Sequence, residues 1–173
     1  MARARAGRRS SLTERDSPRD RAVVGRGPRV LLARTATAEP YLERLEIRRH
    51  ADDALLGHIQ ISQIARGNFQ SGYLGYAIGA EHRGRGYMTE ALQLALRHAF
   101  RTLRLHRLEA NVEPGNEASL ALVRRAGFTR EGFSRRYLKI RGRWRDHERW
   151  ALLAEEWKPV RQARHSGASR RAS

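Results

Sequence analysis

The chain has 173 residues, a formal net charge of +17 and no cysteine. This length gives room for one domain with a substantial core. Without cysteine, a disulfide framework, a thiolate metal site and a cysteine-bound acyl intermediate are excluded. No apolar run approaches the ~18 residues of a membrane-spanning helix, and no apolar segment follows the basic N-terminus as in a signal peptide. We therefore expect a cytoplasmic protein without membrane contacts.

The positive charge is concentrated at the two ends of the chain. Residues 1–34 carry ten Arg against three acidic residues, and residues 158–173 carry Lys158 and four Arg with no acid. Such ends bind RNA nonspecifically through phosphate contacts, or they are solvated extensions whose Arg content reflects coding bias. We predict basic, mostly disordered extensions at 1–40 and 158–173 around a folded domain at 41–157.

The first half of this domain predicts three strands and a helix. Alternating or β-branched apolar residues indicate strands at 41–50, 54–64 and 71–78. Helical spacing then begins at Met88, with apolar residues on one face at Ala91, Leu92, Ala95, Leu96, Ala99 and Phe100.

The second half predicts a strand, a helix and a hairpin. The strand covers 105–112, and the helix has Asn116 as its N-cap and Gly127 just past its end. Strands at 133–140 and 144–153 follow, joined by a glycine-containing turn. This order predicts an α/β (α+β) domain with a mostly antiparallel sheet flanked by helices.

The loop before the first helix carries the strongest chemical signal. Arg83, Gly84, Arg85 and Gly86 precede Tyr87. Glycines let the backbone approach a ligand closely, and the free N–H groups of a helix's first turn favour an anion. The loop has neither the Gly-Lys-Ser/Thr ending of a P-loop nor a three-glycine dinucleotide fingerprint. The residues alone therefore predict either a pyrophosphate cradle of another kind or a plain basic turn.

Four ordered motifs resemble the GNAT acetyltransferases, in particular the RimJ/RimL-type ribosomal-protein N-acetyltransferases. The loop at 83–88 is similar to their Arg/Gln-x-x-Gly-x-Gly/Ala loop, with Met88 in place of the usual final small residue. The similarity covers about residues 42–157 and includes the stretches 66–76, 105–112, 116–119 and 137–147.

This resemblance implies the GNAT fold, a mixed sheet with a central splay between two parallel strands, and acetyl-CoA as co-substrate. The pantetheine arm would bond the backbone of Tyr76, Ala77 and Ile78, and Asn116 would touch the cofactor near the thioester. The pyrophosphate would lie on a run of amides in the loop and first turn: Arg83, Gly84, Arg85, Gly86, Tyr87, Met88 and Thr89.

Without cysteine, we expect direct attack of the acceptor amine on the thioester. Glu109, Asp146 and His147 are alternative candidates for the base. Ser119 is preferred over Tyr137 for stabilising the leaving thiolate. Each of these residues is equally consistent with an ordinary polar role in a strand or first turn. The histidines show no metal-ligand spacing, so we predict no metal.

Members of this family usually begin with a strand and two helices that form one wall of the acceptor site. Residues 1–41 lack an amphipathic pattern, and Val23–Val24 and Val30–Leu32 predict at most one short strand there. We therefore expect a partly open acceptor side with exposed apolar surface, a feature that favours association, for example as a dimer.

Several functions stay open on sequence grounds. The leading one is acetylation of a protein N-terminal α-amine, with a ribosomal protein as partner. A small amine, such as an aminoglycoside or polyamine, is the alternative acceptor. The other alternative is an inactive or truncated paralogue that binds RNA or the ribosome through its basic ends.

Overall fold

A computed structural model describes residues 23–35 and 39–159. These residues form one eight-stranded sheet and two α-helices. The strands are β1 (Val23–Arg26), β2 (Val30–Thr35), β3 (Glu43–Arg49), β4 (Leu55–Ala65), β5 (Ser71–Ile78), β6 (Arg107–Val112), β7 (Thr129–Ile140) and β8 (Arg143–Leu153); the helices are α1 (Tyr87–Arg97) and α2 (Glu117–Arg125). No helix in this part of the chain is long and apolar enough to span a membrane.

The sheet has the spatial order β1-β2-β3-β4-β5-β6-β8-β7. Every neighbouring pair is antiparallel except β5 and β6, which are parallel. Their pairing covers only Ser71–Tyr73 against Arg107–Glu109. Beyond it the two strands diverge, and the facing backbone of β5 has no strand partner. The predicted mixed sheet with a splay between two parallel strands is confirmed.

The N-terminal part of the sheet differs from the prediction. Where the sequence predicted at most one short strand, the structure has the β1–β2 hairpin, closed by a 2.8 Å hydrogen bond from the Gly27 N–H to the Val30 carbonyl. Val30 and Leu32 are fully buried. The apolar pattern of these strands is too short to be recognised from the sequence alone. The strands form because β2 pairs with β3 along its whole length. Of the extensions predicted as mostly disordered, 1–40 and 158–173, residues 1–22, 36–38 and 160–173 lie outside the described residues, and the 41–157 domain boundary stays a prediction.

Both helices pack on one face of the sheet. α1 buries Leu92 and Leu96 on the side of the sheet formed by Ile47, Ile59 and their neighbours. α2 reaches the same side, since its Arg124 lies 5.3 Å from the ring centre of Trp150, a β8 residue opposite Ala110. After α1 a single π-helical turn, His98–Thr102, leads towards β6.

The end of α2 and the start of β7 show where prediction succeeded and failed. Gly127 has φ +93°, and the Phe128 N–H bonds the Val123 carbonyl, so the C-terminal glycine is confirmed. β7, however, begins at Thr129 rather than at residue 133. Thr129 has no apolar pattern of its own and is drawn into the sheet by pairing with Ala151.

No helix among the described residues covers the other face of the sheet. β2 and β3 are joined by residues 36–42, a connection too short for two helices. The uncovered face is polar, with paired charges such as Arg48 with Glu46 and Arg107 with Glu109. Large exposed apolar side chains occur on the β7–β8 hairpin, at Phe133, Tyr137, Leu138 and Trp144. Tyr137 lies beside Tyr73 on the uncovered face, and the expectation of exposed apolar surface on the acceptor side stays a prediction.

Gly57 in β4 has no room for a side chain. A Cβ there would lie 2.2 Å from the Ala77 carbonyl oxygen and 2.8 Å from the Ile78 Cα, so β5 would have to move. We expect Gly57→Ala to lower the free energy of unfolding by about 1–3 kcal/mol in urea denaturation. Gly115→Ala is the control, since nothing lies within 4 Å of its Cβ position. Equal stability of the two variants would contradict this packing.

Candidate active site

A cavity of about 650 Å³ opens between the end of β5, the loop before α1 and one side of α2. Its walls combine backbone at the diverging strands with side chains from both helices. It is lined by Tyr76, Ala77, Ile78, His82, Arg83, Gly84, Gly86, Tyr87, Met88, Thr89, Asn116, Ala118, Ser119, Ala121, Leu122 and Arg125.

The loop at 83–89 presents unpaired backbone donors. The Arg83 N–H bonds the Ala80 carbonyl, and the Glu90 N–H bonds the Gly86 carbonyl. Between them, no acceptor among the described residues takes the N–H groups of residues 84–89. Gly84 and Gly86 adopt φ +71° and +76°, a left-handed conformation that favours glycine. The consecutive free amides at a helix N-terminus make this wall of the cavity suited to an anion.

Arginine adds positive charge to the cavity, but not at every predicted position. Arg83 lines it, as does Arg125 near the end of α2. Arg85 is not among the lining residues, and its carbonyl accepts a 2.8 Å hydrogen bond from Arg29 Nη1. Two arginines therefore line the cavity, one from the loop before α1 and one from α2.

The first turn of α2 brings Asn116 and Ser119 to the cavity. Asn116 Oδ1 accepts the Ser119 N–H at 3.2 Å, which confirms the predicted N-cap. The Ser119 side chain lies next to the Tyr76 hydroxyl, which is buried and has no hydrogen bond of good geometry to the described residues. Burial raises the pKa of Tyr76, so the phenol stays protonated and available as a donor.

Glu109 and Tyr137, also predicted site residues, lie on the opposite face of the sheet and do not line the cavity. Arg107 Nε donates to Glu109 at 2.9 Å, and the same guanidinium holds Glu131 of β7. The hydroxyls of Tyr73 and Tyr137 lie side by side next to Glu109; burial, and secondarily this carboxylate, raises the pKa of Tyr73.

Asp146 and His147, the two remaining candidates for the base, are engaged in contacts within the β7–β8 hairpin. Asp146 Oδ1 accepts the Arg136 N–H at 2.7 Å, at an irregular point of the β7–β8 pairing where Arg136 has φ +48°. His147 is 2 % exposed and packs edge-on against the Tyr137 ring. Both therefore have evident structural roles in the hairpin.

The sequence missed a group of residues on the cavity wall: His82, Ala118, Ala121, Leu122 and Arg125. Those of α2 lie at helical spacing from one another, beginning at Ala118, but not from Asn116, so a pattern starting at the predicted N-cap does not find them. His82 precedes the glycine loop in a 3₁₀ turn and has no sequence signal. In the part of the chain that the structure describes, no cluster of three or more His, Asp or Glu offers a metal site.

The family model for the acetyltransferase (GNAT) domain matches residues 14–129. The chain belongs to the GNAT acetyltransferase family. A ribosomal protein uS5-alanine N-acetyltransferase from Escherichia coli (strain K12) is 44% identical over 107 residues, covering 62% of this chain and 55% of the relative. The structure of Mycobacterium smegmatis RimJ in complex with CoA-disulfide matches this GNAT chain with a TM-score of 0.64 and 36% identity, covering 67% of this chain and 55% of that one.

A more distant GNAT relative acts on another kind of amine. The spermidine N(1)-acetyltransferase of Vibrio cholerae is 27% identical over 117 residues and covers 66% of each chain. The present chain thus spans little more than half the length of the first two proteins and about two thirds of the third.

Proposed function

We propose that this GNAT chain is an acetyl-CoA-dependent N-acetyltransferase that acetylates the N-terminal α-amine of a protein. The free amides of residues 84–89, which border a cavity leading to the divergence of β5 and β6, carry this proposal. Family membership and the RimJ-like relatives support it.

The residues present fit coenzyme A. The free amides, with Arg83 and Arg125 beside them, suit a pyrophosphate, and Gly86 leaves the backbone accessible. Along the divergence, the backbone of Tyr76–Ile78 pairs with β4 but has no β6 partner, and its free side suits the amides of a pantetheine arm, which would bond it as an added strand. Arg85 is not among the lining residues, so we assign its side chain no contact with the cofactor.

Acetyl-CoA supplies an activated thioester, and the chain's own groups orient it and handle protons. A backbone N–H among Tyr76–Ile78 would donate to the acetyl carbonyl oxygen, where negative charge develops. Ser119 and the Tyr76 hydroxyl form a pair of neutral donors on the cofactor side of the sheet. We assign to Ser119 the proton donation to the departing sulfur, since it lies in the cavity and Tyr137 does not.

The acceptor would approach from the uncovered face, on the other side of the divergence. Glu109 is the base proposed there, with the Tyr73–Tyr137 pair beside it. A protein α-amine has a pKa of about 7.7–8.0, so a sizeable fraction is neutral near pH 7 and a weak base is sufficient.

Charge on this face favours a monovalent amine over a polyamine. Glu109 and Glu131 share Arg107 as their partner. A polycation is best bound by several carboxylates free of such partners. Nonspecific binding of RNA through the basic ends, 1–34 and 158–173, stays a prediction, as does association into a dimer.

The first test concerns the cofactor loop. Gly86→Asp adds a side chain and a negative charge at the free amides, and we expect CoA affinity to fall by roughly tenfold or more in calorimetry. Gly67→Asp is the matched control, because Gly67 also has a left-handed φ of +63°, has nothing within 4 Å and lies outside the cavity. Equal CoA binding by both variants would remove the cofactor assignment.

The second test concerns Ser119. We expect Ser119→Ala to lower kcat about 10²-fold while the KM for acetyl-CoA changes little, because general acid catalysis acts in the transition state. The Asn116 cap survives, since it uses the Ser119 backbone N–H. Ser119→Thr should recover part of kcat. An unchanged kcat in Ser119→Ala would show that the proton comes from elsewhere.

The third test concerns the acceptor. Acetyl transfer is followed by mass spectrometry with a peptide that begins with Ala, the same peptide with a blocked N-terminus, and spermidine. We expect kcat/KM to be at least about tenfold higher for the free peptide than for spermidine, a difference near 1.4 kcal/mol in transition-state binding. A preference for spermidine would support the polyamine alternative instead.

A further inference from the structure

The turn between β1 and β2 contacts the first turn of α1, although 60 residues separate them. The Glu90 carboxylate accepts the backbone N–H groups of Arg29 and Val30, at 2.9 and 3.0 Å, and Arg29 Nε at 3.1 Å. The Glu90 side chain is 13 % exposed. Three donors from one turn therefore converge on a single carboxylate at the start of the helix.

The same arginine also reaches the glycine loop. Arg29 Nη1 donates to the Arg85 carbonyl at 2.8 Å, and its guanidinium lies 5.6 Å from the centre of the Tyr87 ring. Arg29 thus ties the loop at residue 85 to the helix at residue 90, on either side of the left-handed Gly86.

Two glycines make this close approach possible. A Cβ on Gly27 would lie 2.2 Å from Glu90 Oε1, and one on Gly86 would lie 2.9 Å from Arg29 Nη2. A side chain at either position would therefore displace the Glu90 carboxylate or the Arg29 guanidinium from this contact.

The contact has two consequences for an anion at the free amides. A loop with glycines at 84 and 86 has many accessible conformations, and fixing the Arg85 carbonyl before a ligand arrives reduces the entropy lost on binding. Glu90 also carries a negative charge one turn from those amides, and pairing with Arg29 compensates it.

We propose that Arg29 is a positioning residue for the cofactor loop: it clamps Arg85 to Glu90 so that the amides of residues 84–89 converge before coenzyme A binds. This rests on the proposed function of the loop. Arg29 acts through the loop and is not among the residues that line the cavity. Acetyl-CoA affinity then depends on the β1–β2 hairpin.

The test compares Arg29→Ala, Arg29→Lys and Glu90→Gln with a matched control, Arg34→Ala. Arg34 lies in β2, and its side chain is 51 % exposed against 53 % for that of Arg29. Its Nη2 pairs with Oε1 of the buried Glu43 at 2.5 Å, and neither residue lines the cavity. CoA affinity is measured by calorimetry, thermal stability by circular dichroism, and hydrogen exchange of residues 83–89 in the ligand-free protein by mass spectrometry.

We expect Arg29→Ala to weaken CoA binding at least tenfold and to speed exchange of these amides, while Arg34→Ala does neither. Arg29→Lys should recover only part of the affinity. The lysine keeps the positive charge, but its single ammonium lacks the fork of donors that reaches both Arg85 and Glu90. Glu90→Gln should also weaken binding, because it loosens the clamp. The KM for the acceptor should be unchanged in all of them.

The outcomes separate the possible failures. CoA binding by Arg29→Ala equal to that of the parent overturns the positioning role alone. Weaker binding by Arg29→Ala but tighter binding by Glu90→Gln identifies Arg29 as a direct phosphate ligand, which also overturns it. A parent protein that does not bind CoA refutes the proposed function, and the positioning role with it.

Discussion

The short parallel contact between β5 and β6 is the constraint on which the rest of the site depends. The two strands pair over three residues and then separate, so β5 keeps its partner on one side only. Backbone donors and acceptors are costly to bury without partners. A ligand with amide groups of its own is suited to occupy such an edge. The divergence also connects the two faces of the sheet, so that groups on opposite sides can act on one bond.

The wall of the cavity that we propose for anion binding offers backbone donors rather than relying on the abundant arginines. Its donors are free because a helix leaves its first N–H groups unpaired and because two left-handed glycines precede the helix. These properties depend only on neighbouring residues, but the conformation of the loop also depends on a distant part of the chain. It is shaped by a hairpin more than fifty residues earlier, through a single arginine that joins a loop carbonyl to a helix carboxylate.

The high arginine content has a different meaning within the folded part. Arg48 contacts both Glu46 and Asp53, Arg107 contacts Glu109 and Glu131, and Arg34 holds the buried Glu43. Burial lowers the pKa of His98, which lies 3.6 Å from Glu43 and therefore adds no firm positive charge there. Most of these side chains stabilise strands of the sheet, and few face the cavity. Net charge alone is thus a poor guide to the ligand of this protein.

Much of the fold was readable from local patterns. The period-two runs of β5 and β6, the helical spacing after Met88, the Asn116 cap and the glycine after α2 each specify an element through contacts within a few residues. The glycine loop likewise predicts an anion site from the sequence, because the N–H groups concerned belong to the backbone of one continuous segment.

What the sequence could not supply are features that depend on long-range pairing. β1, β2 and the start of β7 have weak patterns of their own and exist because neighbouring strands pair with them. Ser119 and Glu109 lie ten residues apart, yet the fold assigns them to opposite faces of the sheet. The sequence by itself determined most of the helices and strands and the glycine loop for which anion binding is proposed, since neighbouring residues suffice for both. Only the tertiary structure decided what lines the cavity and what holds the loop, because those contacts join residues far apart in the chain.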